Sequence, residues 1–320
     1  MEETNMILVT GGLGFIGLHT ARAIIDCGED VVLTQYRVAR EPDFIKADLG
    51  SHAFVEQLDV TDADRLAEIG KKYPITKIAH LAVPAMNALS ASQDFRTNMF
   101  GLINILEAAE AWGVEKVGVA SSGTVYGGTA EIPQREAVRV PLVGTNPTEA
   151  FKKSFEILGG HYADRTGLNF LNLRISSIWG PLYHSMTNLQ SRVVHAAVNG
   201  TELKAGPRGP NYADDGNDMC YAKDCGRGIA LLMTTDKLNH RTYNIGDGRP
   251  TTNSALVAAA LKVIPDANLP LEPGHSPTTS GNVNYQDITR IHEDTGYSPE
   301  YDIVSGVADY IEWLRAGNAE

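Results

Sequence analysis

The sequence is short of the features that mark several classes of protein. Its 320 residues include only three cysteines, Cys27, Cys220 and Cys225. Their number and spacing form neither a disulfide framework nor a paired CxxC zinc site, so no metal site is expected. Basic residues are also few, because 27 lysines and arginines stand against 39 aspartates and glutamates, a net charge of −12. Such a charge does not attract nucleic-acid phosphates or anionic lipid, and neither partner is expected.

Long apolar runs are absent as well. The first five residues are acidic and polar rather than basic and apolar, which is unlike a secretory signal, and no run is long enough to span a bilayer. We therefore expect reduced thiols and a cytoplasmic location. Apolar residues make up 43% of the chain and charged residues only 21%, so the chain has the composition of a folded protein with a large core.

Up to about residue 175, short β-branched runs alternate with amphipathic helical stretches, which indicates βαβ units and a doubly wound parallel sheet. Apolar residues that recur at helical spacing predict two long helices, and we interpret these residues as core positions. They are Phe95, Met99, Leu102, Ile103, Leu106 and Ala109 in the first helix, and Phe151, Phe155, Leu158 and Tyr162 in the second. The strands are expected at 6–10, 31–34, 53–58, 77–81, 116–120 and 170–174, and a later one at 243–246.

After Gly180 the loops become longer and richer in glycine, proline and asparagine, which indicates a second, smaller lobe. We predict that residues 1–177 and 222–246 form one domain, and the glycine-rich turn described next predicts that this domain binds a dinucleotide. Residues 178–221 and 247–320 are predicted to form a substrate-binding α/β lobe, since ligands bind beyond the carboxyl ends of the strands of such a sheet.

A glycine-rich turn joins the first strand to the first helix. Glycines at 11, 14 and 17 give the spacing GxxGxxG, and Phe15 and Ile16 lie between the last two. Glycines allow a tight turn and close approach of the backbone, and the N-terminus of the following helix offers free N–H groups to a pyrophosphate. Gly11, Gly14, Phe15, Ile16 and Gly17 are therefore predicted to bind a dinucleotide.

The end of the second strand bears on which dinucleotide is bound. A carboxylate at this position favours the ribose hydroxyls of NAD, whereas an arginine suits the extra phosphate of NADP. The chain has Gln35, Tyr36 and Arg37 there, with Arg40 nearby. This pattern favours NADP over NAD. Further cofactor contacts are predicted after the third and fourth strands, at Asp59, Val60, Leu81, Ala82 and Val83.

Several ordered motifs resemble those of the extended short-chain dehydrogenases/reductases, also called the NAD-dependent epimerase/dehydratase family. They are TGGLGFIG at 10–17, HLA at 80–82, NMFGLINILEAAE at 98–110, SSGTVYG at 121–127, LRISSIWGP at 173–181 and YNIGDG at 243–248. The resemblance implies a Rossmann-type doubly wound parallel sheet with a C-terminal substrate lobe, and NAD(P)-dependent hydride transfer at a hydroxyl or keto carbon, by an epimerase or a dehydrogenase. It also implies a homodimer that pairs through the helices near 98–112 and 149–165.

The same resemblance implies a serine, a tyrosine and a lysine four residues after that tyrosine. Ser122 and Lys152 match the serine and the lysine, but Thr148 stands where the tyrosine is expected. A threonine hydroxyl ionises far too weakly to act as a base at neutral pH, even beside an ammonium group. The adjacent Lys153 is expected to be solvated.

Three explanations of the missing tyrosine stay open. Another titratable group, Tyr126, Tyr183 or His184, takes over proton transfer; or Ser122 and Lys152 orient a substrate that needs little help; or catalysis is lost and the chain is an NADP-binding sensor or partner protein. For Tyr126 the alternative is a packing role with its hydroxyl bonded to the backbone, and for His184 it is simple solvation.

The substrate lobe departs from the pattern of relatives that bind nucleotide sugars. At the two stretches where such relatives place arginines, 217–221 and 279–283, this chain has none. A smaller, less charged hydroxy or keto compound is therefore favoured, although Arg192, Lys204 and Arg208 can still compensate. Residues predicted to contact the substrate are Thr124, Tyr183, Asn188 and Arg192. Gly123 and Thr124 replace the acidic pair of sugar dehydratases, which disfavours dehydration.

Overall fold

A seven-stranded parallel sheet forms the centre of the structure, a computed structural model that describes residues 6–36, 42–84, 89–207, 209–278, 281 and 283–318. The strands of this sheet are β1 (Met6–Thr10), β2 (Asp30–Gln35), β3 (Ala53–Gln57), β4 (Ile75–His80), β5 (Lys116–Ser122), β6 (Phe170–Ile175) and β10 (Thr242–Ile245). Every strand predicted from the sequence is present, with its ends within two residues of the prediction.

Helices cover both faces of the sheet. They are α1 (Phe15–Asp26), α2 (Ala63–Lys72), α3 (Ala91–Trp112), α4 (Pro147–Thr166) and α6 (Ala222–Thr234). The two longest carry clear capping signals: a capping box at Ser90 and Gln93 starts α3, and glycines in the left-handed conformation end α3 at Gly113 and α4 at Gly167. The β-branched strands between them are almost wholly buried, as expected of a sheet covered on both faces.

The strand order is β10-β6-β5-β4-β1-β2-β3. The chain winds outward from β1 to β3, then crosses to β4 and winds the other way. The loops that follow β1 and β4 therefore diverge at the carboxyl edge of the sheet, and the gap between them is where this architecture binds ligands.

The second lobe has its own apolar core. Its elements are β7 (Ser177–Trp179), α5 (Leu189–Asn199), β8 (Gly216–Asn217), β9 (Met219–Tyr221), β11 (Thr251–Thr252), α7 (Asn253–Val263), α8 (Thr289–Thr295) and α9 (Ile303–Arg315). Helices α5, α7 and α9 pack together around Trp179, Leu256 and Tyr310. Helix α8 instead packs against β10 and α6, so the last part of the chain returns to the main sheet.

The apolar stripes of α3 and α4 are only partly core positions. Leu102, Leu106 and Phe155 are buried as predicted, but Phe95 is 59% exposed and Leu158 is 50% exposed. Leu158 and Phe100 line a groove of about 630 Å³ between the two helices, where the hydroxyl of Tyr162 donates to Glu110. Periodicity alone finds the apolar face of a helix but does not say which part of that face a neighbouring element covers.

Candidate active site

The glycine turn after β1 is as tight as the spacing requires. Gly11 has a φ of +68°, and the N–H of Gly14 donates to its carbonyl at 2.9 Å. A Cβ on Gly17 would lie 2.3 Å from the same carbonyl, so only glycine fits there. Helix α1 then begins at Phe15 with no side-chain cap and no acidic residue in its first turn. Its N-terminus is therefore available to an anion such as a pyrophosphate.

Thr10 connects this turn to the end of β4. Its Oγ1 accepts hydrogen bonds from the N–H groups of Leu81 and Ala82, each at 3.2 Å, and lies 2.8 Å from Nδ1 of His80. A Cβ on Gly11 would lie 3.0 Å from Cα of Ala82. The structure thus brings the predicted cofactor residues of the two loops together, and Val83 follows them as a half-exposed side chain.

The end of β2 opens onto a cleft of about 670 Å³ lined by Tyr36, Gln57, Asp59, Asp62 and Arg65. Arg37 and Arg40, on which the prediction of NADP rests, lie outside the described residues. Oε1 of Gln35 is buried and has no hydrogen-bond partner among the residues that the structure describes. A buried amide oxygen of this kind is suited to accept a hydrogen bond from a bound ligand.

Two other predicted cofactor residues are tied to the protein itself. Oδ1 of Asp59 accepts the N–H and the hydroxyl of Thr61, at 2.9 and 2.8 Å. Val60 packs against α3: a Cβ on Gly101 would lie 2.8 Å from its Cγ2, and its carbonyl accepts from Asn104. The backbone between β3 and α2 is therefore fixed in position at the edge of the cleft.

Ser122 and Lys152 approach the sheet edge from β5 and α4. Ser122 is the last residue of β5, and its Oγ accepts the N–H of Thr124 at 3.2 Å. Helix α4 packs across β5 and the turn at Gly123–Tyr126, and Thr148 lies half-buried one helical turn before Lys152. Helix α4, which carries Thr148 and Lys152, therefore packs against the strand and turn that carry Ser122.

Lys152 is only 7% exposed, and its Nζ lies 4.9 Å from the centre of the Phe155 ring. Burial lowers the pKa of this lysine to about 7, and no acidic residue in the described part of the chain opposes the effect. Burial also lowers the pKa of His80 to about 3, helped by the nearby charge of Lys152. His80 is therefore neutral at physiological pH, whereas Lys152 exchanges a proton near neutrality.

Lys153 does not extend into solvent as predicted. It is buried, and its Nζ donates to the carbonyls of Pro141 and Val143 and to Glu149, at 2.6 to 2.7 Å. Burial disfavours the ionised form of Glu149, but the hydrogen bonds from Lys153 and Thr145 outweigh it and hold the pKa of Glu149 at about 2. This pair fixes the start of α4, and so the position of Thr148, against the preceding loop.

Tyr126 is not brought to the reacting edge. Its side chain is buried, its hydroxyl donates to Oδ1 of Asn244 at 2.6 Å, and Nη1 of Arg174 donates to it at 3.0 Å. Burial raises the pKa of Tyr126 to about 12 despite the nearby guanidinium. Arg174 also pairs with Glu156, which accepts the hydroxyl of Ser121. This geometry supports the packing role considered for Tyr126, but the hydroxyl pairs with two side chains rather than with the backbone as expected.

The sequence interpretation missed Arg174, which links β6 to α4 and to the 123–126 turn. The signal was available: this arginine stands within the otherwise mostly apolar strand Phe170–Ile175 and is 5% exposed. A charged residue inside a buried strand needs a partner, and Glu156 on α4 is that partner, at 2.7 Å.

The predicted substrate residues fall into two groups. Tyr183 lies beside the glycine turn, with its ring 5.1 Å from that of Phe15 and its hydroxyl 2.7 Å from Thr187, and the adjacent His184 is exposed. Thr124, in the turn after β5, is also exposed. Asn188 and Arg192 make their hydrogen bonds within the second lobe. The Asn188 side chain caps α5 through the N–H of Ser191, and Arg192 donates to the carbonyl of Lys204 and to Asn211.

Within the described residues, no group of histidine, cysteine, aspartate and glutamate side chains is placed to hold a metal ion. A helix with the length and apolarity needed to cross a membrane is likewise not found in that part of the chain. All three cysteines are free; Cys220 and Cys225 are buried and Cys27 is exposed.

A parallel sheet whose first strand ends in a glycine turn is the architecture of a dinucleotide-binding Rossmann protein. Within that class, residues 7–246 match the model of the NAD dependent epimerase/dehydratase family, and the chain belongs to this family. It is therefore an NAD(P)-dependent enzyme of the class that transfers hydride at a hydroxyl or keto carbon.

Similar proteins span nearly the whole chain. It is 28% identical to UDP-glucuronate 4-epimerase 1 of Arabidopsis thaliana over 96% of this chain and 76% of that protein. It is also 28% identical to dTDP-glucose 4,6-dehydratase of Streptomyces griseus over 98% of this chain and 94% of that one. The structure of UDP-glucose 4-epimerase from Thermotoga maritima, solved with UDP-glucose, has the same fold: its TM-score is 0.81 at 24% identity, over 98% and 99% of the two chains.

Proposed function

We propose that this chain transfers hydride reversibly between NAD(P) and a hydroxyl-bearing carbon of a sugar-like small molecule, and that Lys152 takes the place of the missing tyrosine in proton transfer. The observation that carries the proposal is the state of Lys152: a lysine buried one turn after Thr148, without a carboxylate partner among the described residues, whose pKa is lowered to about 7.

The residues present fit a nicotinamide dinucleotide. Gly11 and Gly17 let the turn close against Ala82 and against its own backbone, where a Cβ would not fit, and the uncapped start of α1 follows the turn. The buried Oε1 of Gln35 offers an acceptor beyond the end of β2. When bound, the nicotinamide supplies the acceptor or donor of hydride.

Proton transfer then falls to this chain's own side chains. A lysine with a pKa near 7 is neutral in half of the molecules at neutral pH, so its Nζ can take the proton of a substrate hydroxyl and return it in the reverse direction. We assign to Ser122, at the end of β5, the orientation of the same oxygen through its hydroxyl. Thr148, because its hydroxyl barely ionises, contributes at most a hydrogen bond.

The substrate is expected to be a sugar or a compound like one. Relatives of this chain are named as epimerases and a dehydratase of UDP-glucose, UDP-glucuronate and dTDP-glucose, so nucleotide sugars and the matching free sugars are the probes to use first. The guanidinium of Arg192 already donates hydrogen bonds to the carbonyl of Lys204 and to the side chain of Asn211. This supports a substrate that carries less charge than a nucleoside diphosphate.

The assembly we propose is a homodimer that pairs through α3 and α4. Leu158 and Phe100 are about half exposed in the groove between these helices, and a second copy of the same face would cover them. We also propose the division into a dinucleotide-binding domain and a substrate lobe given above, and a cytoplasmic location, which the free cysteines support.

The test compares hydride transfer by the wild type and by Lys152→Ala, followed as nicotinamide absorbance across pH 5.5 to 9 with the sugar probes. We expect the rate of alcohol oxidation to rise through pH 7 in the wild type and to fall about 100-fold or more in the variant. Added primary amines should restore part of the lost rate, with more basic amines restoring more. A purely structural role for Lys152 predicts no such rescue.

Dinucleotide binding measured on the same samples separates the remaining explanations. Binding together with hydride transfer supports the enzyme. Binding without transfer to or from any probe would favour the alternative considered from the sequence, an NADP-binding sensor or partner protein.

A further inference from the structure

One buried ion pair joins helix α4 to the central sheet. Arg174 lies on β6 opposite Ser121 of β5, and Glu156 lies on α4. The guanidinium donates through Nε to Oε1 of Glu156 at 2.9 Å and through Nη2 to Oε2 at 2.7 Å. A contact at two points fixes the direction of both groups as well as the distance between them. The helix is therefore held to the sheet in both position and orientation.

The same ion pair holds the chain on either side of Ser122. Oε1 of Glu156 accepts the hydroxyl of Ser121, the residue before Ser122, at 2.5 Å. Nη1 of Arg174 donates at 3.0 Å to the hydroxyl of Tyr126, the last residue of the turn that follows Ser122. The segment that contains Ser122 is thus tied to the ion pair at both of its ends.

Lys152 depends on the helix for its position. Glu156 stands one helical turn after Lys152, so the two side chains leave the same face of α4. Lys152 is 7% exposed, and its Nζ lies over the ring of Phe155 without a hydrogen bond to any residue that the structure describes. The place of this ammonium group is therefore set by how α4 is held against the sheet.

Stability alone does not account for a charged pair at this point. The side chains of Arg174 and Glu156 are only 6% and 11% exposed, and two apolar side chains of similar volume often stabilise such a place at least as well. Apolar side chains would not bond to the hydroxyls of Ser121 and Tyr126 or to the carbonyl of Glu136. What the ion pair adds is a defined geometry between the helix, the strand and the turn.

We propose that Arg174 and Glu156 are positioning residues for Lys152: their ion pair holds α4 against the strand and turn that carry Ser122 and keeps the lysine in its buried place. The pair acts through Lys152 and need not touch the substrate or the dinucleotide. This inference rests on the proposed function, since the position of Lys152 matters to the reaction only if this lysine transfers the proton.

The test replaces the pair by apolar side chains of similar size, in Glu156→Leu/Arg174→Met, so that no buried charge is left alone. The ionisation of Lys152 is followed by NMR on the full chain labelled with carbon-13 at the lysine ε carbons, and its signal is assigned by its absence from Lys152→Met. The wild type should titrate near 7. The double variant should titrate at least about one pH unit higher, because a loosened helix admits water to the ammonium group. His80 beside Lys152, with a pKa of about 3, stays neutral throughout.

Hydride transfer by the same variant gives an independent readout. Its kcat should fall about 10–100-fold, while KM and the affinity for the dinucleotide change less than about 3-fold, because a displaced proton-transfer group slows the reaction without removing a binding contact. Ser121→Ala is a milder second variant, which removes only the hydroxyl that joins β5 to Glu156. It should move the titration and kcat in the same direction by less, and it decides alone if the double variant does not fold.

Asp164→Asn is the matched control. Asp164 lies on the same helix and accepts from Arg241 at 2.6 Å, but this ion pair is exposed and about three turns away from Lys152. The control should leave the titration of Lys152 and kcat unchanged. Urea unfolding at pH 7 shows which variants are folded.

Titration near 7, or kcat at the wild-type value, in the folded double variant would overturn the inference and leave the proposed function standing. An equal shift in Asp164→Asn would also overturn it, because loosening α4 anywhere would then have the same effect. If Lys152 of the wild type titrates at the ordinary value of a lysine, the inference and the assigned role of Lys152 both fail. If the titration moves as expected but no probe exchanges hydride with the nicotinamide, the ion pair still positions the lysine and only the proposed reaction fails.

Discussion

Replacing Lys152 by methionine should make the cofactor-free protein more stable at neutral pH, although it removes the group that we place at the centre of the reaction. The wild-type lysine is buried without an acidic partner among the described residues, and burial lowers its pKa from 10.5 to about 7. Methionine has a similar length, carries no charge and fills the same space beside Phe155.

The size of the effect follows from proton linkage. In the unfolded chain the lysine has a pKa of about 10.4, so between pH 7 and 10 the unfolded state binds more protons than the folded state. Wild-type stability therefore rises with pH across this window, and the penalty for the lysine is fully present below pH 7. With about 1.4 kcal/mol per pKa unit, the penalty is about 4 kcal/mol at pH 7 and about 2 kcal/mol at pH 9.

Urea unfolding of wild type and Lys152→Met at pH 7 and pH 9, without dinucleotide, measures this difference. The variant should be the more stable at both values, with an advantage that shrinks by about 2 kcal/mol between them. Lys153→Met is the matched control, and its expected change in stability has the opposite sign. It leaves Glu149 and two carbonyls unpaired and should lower stability by about 3–5 kcal/mol. If the free energies of unfolding of the wild type and of Lys152→Met changed by the same amount between pH 7 and pH 9, the lowered pKa of the buried Lys152 would be refuted.

Three further predictions concern the cofactor, the assembly and the buried tyrosine. Arg37→Ala should lower affinity for NADP about 10-fold or more and leave affinity for NAD unchanged, as measured by fluorescence titration; equal losses would remove the basis for preferring NADP. Leu158→Glu places charges into the exposed groove and should convert a dimer into a monomer in light scattering, whereas a monomeric wild type would contradict the proposed interface. Tyr126→Phe removes one buried hydroxyl from the Arg174 network and should cost about 1–3 kcal/mol of stability without changing the pH profile of hydride transfer; a loss of the ionisation near pH 7 would return Tyr126 to a catalytic role.

The fold follows closely from local patterns in the sequence. Strands buried on both faces read as short apolar runs, and the glycine-rich turn needs glycine at Gly11, which has a positive φ, and at Gly17, where a Cβ would lie 2.3 Å from a carbonyl. What periodicity does not give is the identity of a neighbour. Leu158 and Phe155 belong to one predicted stripe, yet the first is half exposed and the second is buried, because α3 covers only part of α4.

The site was harder to derive than the fold. The family resemblance points to Ser122, Thr148 and Lys152, but the ionisation of a lysine depends on its burial and its partners. Lys152 and Lys153 are neighbours in sequence, and only the packing of α4 gives the second a carboxylate and leaves the first without one in the described structure.

The most direct test of the account follows hydrogen itself. Sugar probes labelled with deuterium at the carbinol carbons are incubated with the full chain and oxidised dinucleotide, and the nicotinamide is analysed by mass spectrometry. The account predicts that a single deuterium moves to the nicotinamide in the wild type and that the transfer falls about 100-fold or more in Lys152→Met. Unlabelled nicotinamide with every probe, or transfer at the wild-type rate in Lys152→Met, would contradict it.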